Sequence, residues 1–307
     1  MEPPTLESKN DRSGVAAVIV TYKPALAVLD QLLAALLPQV EAIVVVDNGS
    51  DADLAEWKRQ QQSRSIDLLL LGENKGIAAA HNMGIQWARD RRAGFVLLMD
   101  QDSIPAPDMV QKLTLAISRQ PGASAVGPRY LDERQDNPPP FIQIRGLSLV
   151  RCTCATPDSI VPVDYLISSG CLIPMSVLDK VGGMRDELFI DYVDIEWGLR
   201  ARQHGFQSYG VCAAHMQHSL GDQPINFLGK NIPLHSPLRH YYHFRNAVYL
   251  YRRPWPPLNW KLVDGWRLAL KYVFYSIFAK PRLSQFRMMT LGIWHGLNGR
   301  IGKLDSS

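Results

Sequence analysis

The 307-residue chain has no long apolar run. No window reaches the ~18 uncharged apolar residues of a spanning helix, which excludes a polytopic membrane protein. It has only four cysteines, Cys152, Cys154, Cys171 and Cys212. None forms a C-x-x-C pair and no zinc-finger spacing is present, so all four read as reduced thiols of a cytoplasmic protein. No G-x-G-x-x-G follows any apolar run, which argues against a nicotinamide dehydrogenase. The opening segment, Met1 to Gly14, lacks an apolar stretch, so no secretory signal peptide is expected and a flexible 1–14 tail is. Net charge is also small, +4, with 46% hydrophobic and 20% charged residues, a globular balance that excludes wholesale disorder.

That small net charge conceals a split. Residues 239–307 hold twelve Lys and Arg against two acids, Asp264 and Asp305, for a local charge of +10. The other 238 residues sum to −6. Such asymmetry points the C-terminal part toward an anionic partner, nucleic acid or a membrane surface.

What is present is an alternation. Apolar runs Val15–Thr21, Ala42–Val46, Ile66–Leu71 and Phe95–Met99 predict strands. Helical patterns at Leu26–Leu37, Ala52–Arg64, Ile77–Arg89 and Asp108–Arg119 fall between and after them. Strands apolar on both faces and separated by helices predict an α/β fold with a mainly parallel sheet. Ligands of such sheets bind beyond the carboxyl ends of the strands. From Ala123 the alternation breaks into a mixed region: a strand at Ala123–Val126, a polar loop at Asp132–Pro140, weak alternation over Ile142–Cys152, Val163–Ile167 leading to Ser168-Ser169-Gly170, and helices at Pro174–Val181 and Val193–His204. No internal repeat is visible. After Pro254, Pro256 and Pro257 a helix runs to residue 280. Lys261, Asp264, Arg267 and Lys271 form one stripe on it and the rest is apolar, which fits a helix lying in a bilayer interface; packing against a core is the competing reading.

Four polar clusters sit at element ends. Asp100-Gln101-Asp102 closes the fourth strand; side chains two apart share a face, and two carboxylates there suit a hard cation, although solvated loop acids would look alike. Asp47-Asn48-Gly49-Ser50 reads either as an Asx-turn with a helix cap or as a carboxylate for a base or ribose. Asn74-Lys75-Gly76, with the small residues Ala78-Ala79-Ala80 before His81 and Asn82, lets a ligand or backbone approach closely. Finally, Asp191, Asp194 and Glu196 lie among Phe189, Ile190, Val193 and Trp197. They could simply favour a helix dipole, but a carboxylate in apolar surroundings has a raised pKa and suits a general base.

Taken in order, Thr21-Tyr22, VVDNGS, NKGIAAAHN, DQD, SSGCL and DYVDIEW resemble family 2 glycosyltransferases, and among them the rhamnosyltransferases of bacterial O-antigen or lipopolysaccharide core. The resemblance spans about residues 15–250 and implies the GT-A fold, a Rossmann-like mixed sheet for nucleotide-diphospho-sugars, with 251–307 as a basic helical extension. It implies a nucleotide-sugar pocket of Thr21, Tyr22, Asp47, Asn74, Lys75, Gly76 and Asp100. Asp100 and Asp102 would hold a divalent cation, Mg or Mn, with His218 ahead of His215 as a third ligand. Ser169, Gly170, Glu196 and Trp197 would lie on the acceptor side. Asp194 falls at the catalytic base, with Asp191 second, because Val193-Asp194 stands where the family has Glu-Asp.

The resemblance further implies inverting transfer of L-rhamnose from dTDP-L-rhamnose, without a covalent intermediate, to a glycolipid or oligosaccharide acceptor. The site would be cytoplasmic, on the inner face of the bacterial inner membrane, with anionic lipid rather than nucleic acid as partner of the basic tail. A UDP- or GDP-linked donor is the first alternative. A metal-dependent phosphatase or nuclease is more remote, since it would need further ligands for a two-metal site. A non-catalytic membrane scaffold would leave the ordered acids unexplained.

Overall fold

A computed structural model describes residues 13–51, 53–61, 65–131, 141–218, 225–227, 230–232 and 234–304. The expected 132–140 loop and most of the 1–14 tail lie outside them.

The first half alternates as the sequence predicts: β1 (Ser13–Thr21), α1 (Leu26–Leu36), β2 (Ala42–Asp47), α2 (Leu54–Gln60), β3 (Ile66–Leu70), α3 (Ile77–Asp90) and β4 (Ala93–Asp100). Then come β5 (Ser103–Pro105), α4 (Met109–Arg119), β6 (Ala123–Leu131), the hairpin β7 (Phe141–Arg145) and β8 (Ser148–Cys152), β9 (Ile160–Val163) and β10 (Cys171–Pro174). α5 (Met175–Val181), α6 (Val193–Gln203), β11 (Gln207–His218), α7 (Pro237–Tyr251), α8 (Leu258–Phe278) and α9 (Arg282–Asn298) follow. The helix after β2 starts later than the expected Ala52, because Asp53 caps it, accepting from the Glu56 amide at 2.8 Å.

The sheet runs β3-β2-β1-β4-β10-β6-β11-β5, with β9 on β11. β3, β2, β1 and β4 are parallel, and β10 enters antiparallel between β4 and β6. β1 shows why this sheet is covered twice. Ala16, Val18 and Val20 join one apolar cluster with α3, α5 and α6, and Val15, Ala17 and Ile19 join another with α1, α2 and α4. Gly84 brings α3 onto β1, since a Cβ there would sit 2.1 Å from Val18.

One expectation is corrected. Cys154 and Cys212 form a disulfide, and only Cys152 and Cys171 are free thiols. β11 carries Cys212 to within 5.8 Å (Cα–Cα) of Cys154, a juxtaposition that spacing along the chain does not reveal. On α8 the polar stripe turns toward the protein. Asp264 accepts from Tyr192 Oη at 2.8 Å and Tyr251 Oη at 2.5 Å, and Lys271 donates to His243 Nε2 at 3.1 Å, so most of the stripe faces the protein. The apolar face is what α8 shows to solvent: Leu258, Leu262, Trp266, Leu270, Val273 and Ile277 are exposed. No helix among the described residues is long and apolar enough to cross a membrane. α7 reaches across the expected boundary at 250 and packs on α9, at Gly292 and Gly296, where added Cβ atoms would meet the carbonyls of Tyr241 and Arg245.

Candidate active site

A cleft of about 550 Å³ opens at the carboxyl ends of β1, β2 and β4. It is lined by Val20, Tyr22, Asn48, Asn74 and Gly76, by Asp100, Gln101 and Asp102 as a floor at the end of β4, and by the 189–195 segment with Arg239 and His243. The strand ends are tied together. The Thr21 hydroxyl donates to Asp47 Oδ1 at 3.0 Å, and Asp47 also accepts from the Ser50 amide at 2.9 Å and the Ser50 hydroxyl at 2.5 Å. Gln101 clasps Tyr22, accepting from its amide at 2.8 Å and donating to its carbonyl at 3.2 Å. Asn48 fixes the next loop, accepting from the Lys75 amide at 2.8 Å and donating to Asn74 Oδ1 at 3.1 Å. Gly76 has φ +90°, and a Cβ there would lie 2.5 Å from the Phe189 carbonyl, so only glycine permits this approach.

Asp194 opens α6 and Asp191 precedes it. Burial pushes Asp194 up to about 6, with smaller contributions from Asp191 and Asp100, against a backbone bond from the Ile195 amide at 2.8 Å. Asp191 is also raised by burial, but the Arg239 guanidinium, 3.4 Å away, opposes the shift. Beside them, burial lowers Lys271 and holds His243 well below the usual imidazole range.

The structure sorts the predicted residues. Tyr22, Asn74, Gly76, Asp100, Asp102, Asp191 and Asp194 share the cleft wall. Thr21 and Asp47 are buried behind it, because the strand ends need that bond network, and Lys75 is exposed outside it. The four residues expected on the acceptor side do not line this cleft. Ser169 is buried under the floor, accepting from the Asp100 amide at 3.1 Å and pairing with the Ser103 hydroxyl at 2.6 Å. Gly170 packs on Pro128. Glu196 is fully buried between Arg185 and Arg200, at 2.8 Å from each, and Trp197 donates to the Gly182 carbonyl at 2.9 Å. His215, the second choice for the metal, does not line the cleft, although its carbonyl accepts from the Ala106 amide at 3.0 Å. The backbone of His218 pairs with Ser103, next to Asp102; its side chain lies outside the described residues.

Residues 16–158 match the sequence profile of glycosyl transferase family 2. The dTDP-rhamnosyl transferase RfbF of Shigella flexneri is 36% identical over 80% of this chain and 82% of its own. The chain belongs to glycosyl transferase family 2. An N-acetylglucosaminyl-diphospho-decaprenol L-rhamnosyltransferase of Mycobacterium tuberculosis is 27% identical over 69% of this chain and 79% of its own. Among solved structures, S. aureus TarS 1-349 in complex with UDP-GlcNAc superposes with TM-score 0.60 at 13% identity, covering 93% of this chain and 81% of that one. GalNAc-T7 with UDP, GalNAc and Mn2+ gives 0.60 at 12% identity, covering 92% and 56%. The fold of this glycosyltransferase is therefore GT-A, with C-terminal helices added.

Within this family member, no three His, Cys, Asp or Glu side chains among the described residues cluster as a cation site. Asp100 and Asp102 do offer two carboxylates on one floor, and that set fits a divalent cation whose remaining ligands come from a diphosphate. Sequence reasoning missed Asn48, Gln101, Arg239 and His243. Asn48 and Gln101 stood inside motifs already noted, whereas nothing local marked Arg239 or His243 on α7.

Proposed function

We propose that the protein is an inverting rhamnosyltransferase that moves L-rhamnose from dTDP-L-rhamnose to a glycolipid acceptor. The observation that carries the mechanism is the placement of Asp194 in the same cleft that Asp100 and Asp102 line; burial there raises its carboxyl to about 6. At neutral pH it is mostly ionised yet basic enough to take a proton from the attacking hydroxyl. The Asp100 and Asp102 carboxylates would hold a divalent cation, Mg or Mn, which when bound offsets charge on the leaving diphosphate. Tyr22, Asn48 and the Asn74–Gly76 loop would hold the nucleotide. The RfbF relationship supports dTDP-rhamnose as donor.

Arg239 and Lys271 place two cations beside the base wall, suited to the phosphate of a glycolipid. The exposed apolar face of α8 continues onto α9 through Leu283, Phe286, Trp294 and Leu297, and the two helices meet where Tyr272 Oη bonds Thr290 Oγ1 at 2.8 Å. Arg267, Lys280, Arg282, Arg287, Arg300 and Lys303, on the same two helices and the segments that join and follow them, are exposed as well. Exposed apolar anchors and cations on the same elements support peripheral docking on an anionic bilayer, on the cytoplasmic face of the inner membrane.

A calorimetric panel of dTDP-, UDP- and GDP-linked sugars tests the donor. Selective binding of dTDP-rhamnose is expected, and a preference for a UDP- or GDP-sugar would replace that donor. Vesicle sedimentation tests the surface. Trp266→Glu with Trp294→Glu should abolish binding to phosphatidylglycerol vesicles; unchanged sedimentation would remove the membrane from the account.

A further inference from the structure

The segment that carries Asp191 and leads into Asp194 has an unusual backbone. Phe189, Asp191 and Tyr192 have φ of +65°, +62° and +62°, and none is glycine. Left-handed non-glycine residues persist only where their surroundings over-determine them. Here the surroundings are α7. Asn246 Nδ2 donates to the carbonyls of Leu188 at 2.8 Å, Ile190 at 2.8 Å and Asp191 at 2.9 Å. An amide nitrogen has two protons, so three carbonyls converging on it share one of them. Arg245 Nε donates to Asn246 Oδ1 at 2.9 Å, which fixes which way the amide faces. The Arg245 guanidinium also donates to Leu188 O at 2.9 Å and to Gly302 O. Both side chains are buried, and the rings of Tyr241 and Tyr242 flank the cation.

We propose that Asn246, oriented by Arg245, is a positioning residue. It holds the 188–191 carbonyls toward α7 so that Asp191 and Asp194 are presented to the cleft. The proposal rests on the reading that one of these two acids is the catalytic base. An ordinary helix-to-loop tie needs one or two bonds to relaxed backbone. This one gathers three carbonyls from the segment that holds the left-handed residues, and Ile77 N, beside the nucleotide loop, bonds the same segment from the other side, at Phe189 O, 2.7 Å. The acids are thereby fixed relative to the donor pocket, and a misplacement on the order of 1 Å is enough to lose about 100-fold in rate.

The test is steady-state kinetics of Asn246→Ala on the full chain, with melting temperature, amide hydrogen exchange and donor binding measured separately. The expected result is kcat down about 100-fold, with donor KM and binding within about threefold. The acid limb of the kcat profile should fall from near 6 toward the ordinary carboxylate range, because a loosened segment lets water reach Asp194. Amides of 188–192 should exchange faster. A folded Asn246→Ala protein with wild-type kcat, acid limb and exchange overturns the proposal. If that variant fails to fold, Arg245→Lys is read by the same criteria. If Asp191→Asn and Asp194→Asn both keep the wild-type rate, the base reading fails instead. The clamp is then judged by exchange alone: faster exchange of 188–192 in the Asn246 variant sustains it and unchanged exchange removes it.

Discussion

Asp194→Asn should produce a protein that is inactive and more stable. Burial raises the Asp194 carboxyl from 3.8 to about 6, so its ionised form is disfavoured in the folded chain. A rise of that size corresponds to about 3 kcal/mol against the fold once both folded and unfolded states are ionised. The sign follows from proton uptake. Below pH 4 the group is protonated in either state and costs nothing. Between 4 and 6 the folded state binds more protons, so the penalty grows as pH rises, and above 6 it is complete. Asparagine keeps the oxygen that accepts from the Ile195 amide and removes the repulsion from Asp191 and Asp100. At pH 7.5 the variant should therefore gain up to about 3 kcal/mol, or several degrees in melting temperature. The gain should shrink to nothing toward pH 4. Calorimetric melting of both proteins from pH 4 to 8, with transfer assayed alongside, measures it. Loss of at least about 100-fold in kcat is expected. A variant no more stable at pH 7.5, or a difference independent of pH, would refute the reasoning.

Other expectations are more direct. Asp102→Ala, like thorough chelation, should abolish transfer while leaving the melting temperature within a few degrees; activity surviving both would remove the cation. Asp47→Ala strips three hydrogen bonds from a buried carboxylate and leaves Thr21 unpaired. It should cost about 2–3 kcal/mol in urea unfolding, and a smaller loss would mean that the strand ends are held otherwise. Thiol titration of the denatured, unreduced chain should find two thiols of four, because Cys154 and Cys212 are bonded; four would restore the all-reduced reading.

Much of the parallel half was legible because β1, β2 and β4 are apolar on both faces, a pattern that few other structures produce. β10 and β11 were not. Cys171–Pro174 is only four residues long, and Gln207–His218 mixes polar and apolar residues because a register shift between Val211 and His215 breaks its alternation. α7 escaped because its buried face carries His240, Arg245 and Asn246, which break an apolar period. For the site, strand ends could be found from sequence, but not which side chain of each pair turned to the cleft. Tyr22 and Asn48 did, while Thr21 and Asp47 turned inward to each other. On α8 the stripe and the apolar face were both visible. Only the partners of Asp264 and Lys271, far away in sequence, decided which of them points to solvent.

Direct displacement assisted by Asp194 can be seen by following transfer from dTDP-rhamnose by NMR and assigning the anomeric configuration of the first product formed. Inversion is expected, with no glycosyl-enzyme trapped at any time and product from Asp194→Asn slowed at least about 100-fold. Retention of configuration, or wild-type turnover by that variant, would contradict it.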